Sequence, residues 1–540
     1  MPRASSSPRL LTAVAAAAAL ALGVSGGALA VAGPPAGGTG GLEDVAVRAS
    51  GVVAVVTAVA EAAAAPGPEL ERVSIILDSG DRIDVADPSL AEDLRAGAEV
   101  DLDVAIPEAV LEGLAAARRA EVAKEAGAGG VIVGDSAIGE LLLGEAAGLG
   151  EPLALGNVAA AAVPPFAAPE PEDLVHTFDV VVASRAAGGG EGLTDAVINT
   201  QLARLEQFYR EETGLDGFDF EANDIRRITS VYSCDNNLID ALWNQAAQAY
   251  GHTSALPYYG TLARRHLLVL EENTAACRAT SESIVGWGSV GDAGLSGSGV
   301  LIVRTATDAI SFTRTAGHEL GHNFGLDHSN AQICAAAAGA GAGSWAEDQW
   351  GACESREYGD RWEFMGSGPS STVPKMGAIR KHELGIIAPD GPEVATVETA
   401  STADFQLNAL PTASGLQLIL ITDPTGGDDY AVEYRSETAG GAAGVFVARV
   451  GPTHATTLLR PSGALGTANP PLAEAGDAFV SARGKVVVSL TAAPTGSTAA
   501  VQVTRGEDIT LSLEPARAML AAAGDSVSAA VATNEPEWTA

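Results

Sequence analysis

Between residues 309 and 324 apolar side chains recur at spacings of three and four: Ala309, Phe312, Ala316, Leu320 and Phe324. That stripe predicts an amphipathic helix laid against a core. Gly325, which can take a left-handed conformation at little cost, is placed to stop it. Ile198, Leu202, Leu205 and Phe208 predict a second helix over 194–212, and further helices are expected over 237–250 and 375–385. Short apolar runs at 176–183, 225–232, 266–270 and 299–303 read as strands between these helices. Strand and helix alternating in this way indicate an α/β domain with a mixed twisted sheet.

The flanking pattern is different on each side. Upstream, runs at 72–77 and 82–85 are joined through Asp78-Ser79-Gly80-Asp81, a hairpin signal, and are followed by a strand at 99–104 and an Ala/Glu/Arg-rich helix over 107–126. This α+β region ends in a proline-rich linker at 163–171. Beyond Pro389, short runs at 416–421, 430–434, 444–450, 485–490 and 499–503 recur between Gly, Pro, Thr and Asp turns, which predicts an all-β, sandwich-like module. From Arg505 an Ala-rich acidic segment without a firm period reads as a helical or disordered tail. The expected division is therefore 1–30, 31–172, 173–388, 389–505 and 506–540.

The first segment reads as a secretory signal: Arg3 and Arg9, an apolar run over 10–24, then small residues through Ala30. The run is too short to predict a membrane span, and no other stretch reaches its length without charges, so a secreted, extracellular protein is expected. A net charge of -37 and a pI near 4.4 argue against nucleic acid or an anionic membrane as partner, since phosphate binding needs a basic surface. The excess acid reads as a solubility or salt-tolerance feature, with calcium binding as a second use it would allow. Four cysteines suit an exported chain; Cys234 with Cys277 and Cys334 with Cys353 is the favoured pairing among three.

The predicted helix over 309–324 carries the candidate chemistry, in His318-Glu319-Leu320-Gly321-His322-Asn323-Phe324-Gly325-Leu326-Asp327-His328. His318 and His322 fall one turn apart on one face, where two imidazoles can share a metal ion, and Glu319 can reach a water on that ion. The chain reversal at Gly325 lets His328 return as a third nitrogen ligand. Three protein ligands leave one position open, the mark of a catalytic zinc site.

This extended pattern is the metzincin signature, which calls for a methionine in a tight turn below the metal. Met365, in Tyr358-Gly359-Asp360-Arg361-Trp362-Glu363-Phe364-Met365-Gly366, meets it better than Met376, which lies in the next predicted helix. HELGHNFGLDHS, then YGD with MG, then a short helix ending in HELG, resembles the gametolysin family of secreted metzincin peptidases over roughly 173–385. The resemblance implies a mixed twisted sheet whose lower edge holds extended substrate, one zinc ion on His318, His322 and His328, Glu319 as general base, and Met365 as the Met-turn residue. It also implies cleavage of peptide bonds in extracellular proteins or wall glycoproteins. Because Gly366 and Ser367 follow Met365, no tyrosine stands where astacin-like relatives place one, and no fifth protein ligand is expected. His252, His266 and His382 are expected to pack or to sit at the surface. Residues 31–172 read as a pro-region that lacks the cysteine a thiolate switch needs. A competing reading is a catalytically silent surface adhesion or matrix-binding protein that acts through its β module, with wall or glycan contact there.

Overall fold

The computed structural model describes residues 45–60, 72–77, 82–85, 99–126, 131–133, 136–147, 155–160, 174–185, 192–235, 238–271, 284–291, 294–304, 308–334, 345–347, 354–366, 372–410, 414–436, 443–451, 456–461, 472–509, 511–514 and 530–533. The expected signal, the 163–171 linker, Cys277 and Cys353 lie outside them. The chain is mixed α/β with several sheets and few helices. No helix among the described residues is long and apolar enough to cross a membrane.

The N-terminal part runs β1 (Ala46–Ala60), β2 (Arg72–Leu77), β3 (Arg82–Asp84), β4 (Glu99–Ala105), α1 (Glu108–Gly113), α2 (Ala116–Ala126), β5 (Val131–Val133), α3 (Ala137–Ala147) and β6 (Leu155–Ala160). The helix expected over 107–126 is two helices, because Leu114 leaves α1 in an extended conformation. Val47, Ile75, Leu102, Val104, Val122 and Leu142 close a core of their own here.

The central part follows as β7 (Val175–Ser184), α4 (Asp195–Thr213), β8 (Asp219–Ala222), β9 (Arg226–Thr229), α5 (Ile239–Ala249), β10 (Arg265–Glu271), β11 (Ile284–Val290), β12 (Gly299–Val303) and α6 (Ala309–Asn323). Strands β8, β7, β10 and β12 are parallel, and β11 runs antiparallel beside β12. Parallel strands covered on both faces should be apolar on both, and alternate residues of β7 and β10 do divide between two cores. Val180, Val182, Leu268 and Leu270 meet α4 and α6 through Leu205, Phe208, Phe312, Ala316 and Leu320. Val181, Ala183, Leu267 and Val269 meet Leu242, Trp243 and Ala246 of α5 on the other face.

Strand β11 was not expected from the sequence, where Gly286-Trp287-Gly288 reads only as the stretch before a glycine-rich turn. Their role is close approach: a Cβ on Gly288 would stand 2.7 Å from Glu319 Oε2, and one on Gly286 would collide with Oε1. Glycine thus lets α6 lie against the strand with Glu319 at the contact. The strand expected over 225–232 is limited to β9, since turns begin after Ser230.

The C-terminal part contains β13 (Ser329–Cys334), β14 (Trp345–Ala346), β15 (Glu354–Arg356), α7 (Ala378–Glu383), β16 (Val394–Val397), β17 (Ser401–Asn408), β18 (Leu418–Ile421), β19 (Asp429–Arg435), β20 (Gly444–Val450), β21 (Thr456–Pro461), β22 (Ala478–Val480), β23 (Val486–Leu490), β24 (Thr498–Arg505), β25 (Leu511–Glu514) and β26 (Ala530–Thr533). One sheet has the order β15-β13-β21-β20-β19-β18-β16 and a second β14-β22-β23-β24-β17. Val432, Val445, Val447 and Leu459 of the first meet Phe479, Val488, Val501 and Val503 of the second in one core, as two stacked sheets require. In the segment expected to be helical or disordered, β25 and β26 pair as strands.

Strand pairing crosses two of the boundaries expected from the sequence. At 172/173, β1 pairs with β11, so twelve strands from both sides form one sheet. At 388/389, β13 pairs with β21 and β14 with β22, which draws residues just after His328 into the C-terminal sheets. Such non-local pairings leave no periodic trace in either partner.

Candidate metal centre

Helix α6 begins at Asp308, whose side chain accepts from the Ser311 amide at 2.7 Å, an N-cap that satisfies one of the four orphan donors. Phe312, Ala316, Leu320 and Phe324 bury the predicted stripe against the sheet and α4. At the other end the Gly291 amide donates to the His322 carbonyl (2.8 Å) and that of Gly294 to the Phe324 carbonyl (3.0 Å), so the glycine-rich turn after β11 caps the helix. Gly325 adopts φ +82, and the Leu326 amide returns to the Gly321 carbonyl at 3.0 Å. This reversal brings the chain back under α6.

The result is that His318, His322 and His328 converge, each with one ligand atom within 4.8 Å of the others. All three are at most 4 % exposed. Their hydrogen bonds assign the ring protons. His318 Nδ1 faces the Phe364 carbonyl (3.0 Å), His322 Nδ1 the Leu326 carbonyl (2.8 Å) and His328 Nδ1 the Glu357 carboxylate (2.8 Å). Each Nδ1 donates to its acceptor, so each Nε2 of a neutral ring carries a lone pair. Burial, with the neighbouring imidazoles, holds the His318 and His322 side chains well below the ordinary histidine range, which keeps them neutral.

The Nε2 atoms of His318 and His322 then lie 3.0 Å apart with no proton to share, and His328 Nε2 is buried without a hydrogen-bond partner. Lone pairs turned toward one point repel one another, and a cation among them relieves that repulsion. Two nitrogens about 2.0–2.1 Å from one tetrahedral ion stand roughly 3.3 Å apart, so the donor set fits a divalent metal ion with small adjustments. Both oxygens of Glu319 are also buried without partners, one residue from His318, and burial pushes this carboxyl well above its usual range. Such an unsatisfied group is expensive in a fold and common at a site of chemistry.

Met365 packs against α6 between His318 and His322: a Cβ on Gly321 would stand 2.5 Å from its Sδ. The turn is also a bracket, since the Phe364 carbonyl takes the His318 proton and the Met365 carbonyl accepts from the Ser329 amide at 3.0 Å. Met376 is buried in the same core, held through its amide by Glu212 (2.9 Å).

Several positioning groups escaped the sequence reading. Asn323 accepts at Oδ1 from His266 Nδ1 (3.0 Å) and donates through Nδ2 to the Ser289 carbonyl (2.7 Å), knitting α6 to β10 and β11. Arg380 donates to the Asp327 carbonyl (2.9 Å) and Ser329 Oγ (2.9 Å), on either side of His328, and to Thr456 Oγ1 (2.7 Å) of β21. The third histidine is therefore braced from the C-terminal sheet. Glu357 and Tyr358 follow β15 in that same sheet; Tyr358, at φ +54, lays its ring 3.8 Å from that of His328 and 5.8 Å from that of His318. Tyr358 is one of three described non-glycine residues at positive φ, with Cys234 and Arg264, and such a conformation shows only in coordinates.

The remaining histidines pack as expected: His266 is buried, His252 meets the edge of Tyr258, and His382 Nδ1 pairs with the Ile387 carbonyl at 3.1 Å. Cys234 is disulfide-bonded, and no described cysteine is free; the expected pairings themselves lie outside the described residues. No protein-family model matches the chain, and no curated protein matches it.

Proposed function

We propose that this chain is a secreted zinc-dependent endopeptidase of the metzincin type, gametolysin-like, acting on extracellular proteins or wall glycoproteins. The single observation that carries the reading is the convergence of three Nε2 lone pairs, each fixed by an engaged Nδ1, beside the unpartnered carboxylate of Glu319. His318, His322 and His328 would hold the ion, which supplies an electrophile for the scissile carbonyl and acidifies water. Glu319, held above the ordinary carboxylate range, is suited to take a proton from the attacking water and deliver it to the leaving amine nitrogen. Water adds across the C–N bond, and the products are a carboxylic acid and an amine.

A second reading takes the bound ion as a structural tie in an adhesion protein acting through its β module. What favours it is that the ligands are buried and that β13, next to His328, belongs to the C-terminal sheet. Metal analysis with casein hydrolysis, with and without a chelator, separates the two. Glu319→Gln should keep about one zinc ion per chain and lose casein hydrolysis by at least 100-fold; hydrolysis at the wild-type rate would refute the role of Glu319.

A further inference from the structure

His318 and His322 owe their places to one turn of α6, but His328 does not. Residues 326–328 have no regular structure, so the third ligand depends on what holds the chain on either side of it. One buried guanidinium does so. Arg380 of α7, 1 % exposed, donates through a single nitrogen to the Asp327 carbonyl (2.9 Å) and to Ser329 Oγ (2.9 Å). Ser329 Oγ in turn donates to Glu363 Oε2 (2.5 Å), which also accepts from the Met365 amide (2.8 Å), so the turn that packs against α6 is tied to the same cluster.

The guanidinium is itself fixed from three directions. Its other terminal nitrogen donates to Glu383 Oε2 (2.7 Å), its Nε faces Glu363 Oε2 (3.8 Å), and the nitrogen that serves the His328 segment also reaches Thr456 Oγ1 (2.7 Å) on β21. Thr456 stands opposite Ser329 in the register of β13 with β21. A planar fork can serve acceptors on several segments at once, which an ammonium on a flexible stem cannot. Charge alone gives no reason for an arginine here. A fixed cation repels a divalent ion; burial lowers the His318 and His322 imidazoles, and the Arg380 charge lowers them further. An arginine kept beside a cation site against that repulsion is explained by what it holds.

We infer that Arg380 is a positioning residue for the third ligand: it fixes Asp327 and Ser329 so that His328 reaches the ion, and Thr456 holds the guanidinium in turn, which makes the C-terminal sheet a working part of the metal centre. The inference rests on the metal-binding half of the proposed function and is independent of peptidase activity.

The test uses the full-length chain, with Zn2+ affinity measured by competition against a chromophoric chelator and the site viewed through the visible absorption of bound Co2+. Two variants separate position from charge. Arg380→Gln removes both the fork and the repelling charge, so charge alone predicts tighter binding, whereas lost positioning predicts binding weaker by about 10-fold or more. Arg380→Lys keeps the charge and loses the fork, so charge alone predicts no change; binding about 5-fold weaker or worse is expected, with the Co2+ spectrum shifted toward that of His328→Ala. If Arg380→Gln does not fold, Arg380→Lys carries the test. His328→Ala supplies the control for general damage: in that background Arg380→Lys should change Zn2+ affinity by less than about 2-fold, because the ligand it acts on is gone. Unchanged affinity in Arg380→Lys, tighter binding in Arg380→Gln, or the same loss with and without His328 overturns the inference. A wild-type chain that takes up neither ion defeats the metal centre and the inference together. Casein hydrolysis is read in parallel: affinity that follows Arg380 in a chain that never hydrolyses casein sustains the positioning role and defeats only the peptidase reading.

Discussion

Glu357 offers the sharpest measurement on the metal centre. Its Oε1 stands 2.8 Å from His328 Nδ1, and it is the one charged acceptor among the three that orient the imidazoles. Losing such an outer partner typically costs about 10–100-fold in metal affinity, or roughly 1.4–2.7 kcal/mol. The lower figure applies here for two reasons. The Glu357 side chain is 22 % exposed, so solvent screens its charge, and His328 is also bounded by the Tyr358 ring and by the Arg380 bonds on either side. Glu357→Ala should therefore weaken zinc binding about 10-fold, while Glu357→Gln, which retains an acceptor oxygen, should stay within about 3-fold of wild type. Competition against a chromophoric chelator at neutral pH measures both, with urea unfolding of the metal-free chains as the control for general damage. An alanine variant that binds zinc as tightly as wild type would show that His328 is oriented by its other neighbours alone.

Two further outcomes follow from the packing around α6. Gly288→Val places a Cβ 2.7 Å from Glu319 Oε2 and 3.0 Å from the Glu319 carbonyl, so it should cost about 1–3 kcal/mol in urea unfolding, and Glu319→Ala in the same chain should recover only part of that because the carbonyl remains; a neutral Gly288→Val would mean that β11 and α6 can separate. Burial lowers the His266 imidazole to about 4 from an ordinary value near 6.5. With the folded value depressed, the unfolded chain takes up the proton first, so the contribution is complete above pH 6.5 and is lost as pH falls toward 4, roughly 3 kcal/mol at about 1.4 per unit. Urea midpoints between pH 7 and 4.5 should show a loss of at least that size, and His266→Gln should shrink it, with His318 and His322, also lowered by burial, accounting for what remains; an unchanged slope would assign the acid sensitivity elsewhere.

The sequence by itself determined what is local and repeated. The stripe of Phe312, Ala316, Leu320 and Phe324 specifies a helix and its buried side, which in turn places His318 and His322 one turn apart and Glu319 beside them, because a 3.6-residue period allows no other arrangement. Gly325 marked the reversal, and the buried runs of β7, β10 and β12 read as sheet strands for the same kind of reason: period and composition are properties of a single segment. Only the tertiary structure decided where separate segments meet. That β1 lies along β11, that β13 and β15 carry His328 and Glu357 into the C-terminal sheet, and that Arg380 joins both sides of His328 to Thr456 are pairings between residues tens to hundreds of positions apart. Backbone hydrogen bonds accept any side chain and a buried arginine needs only acceptors in the right place, so neither leaves a mark in the order of amino acids.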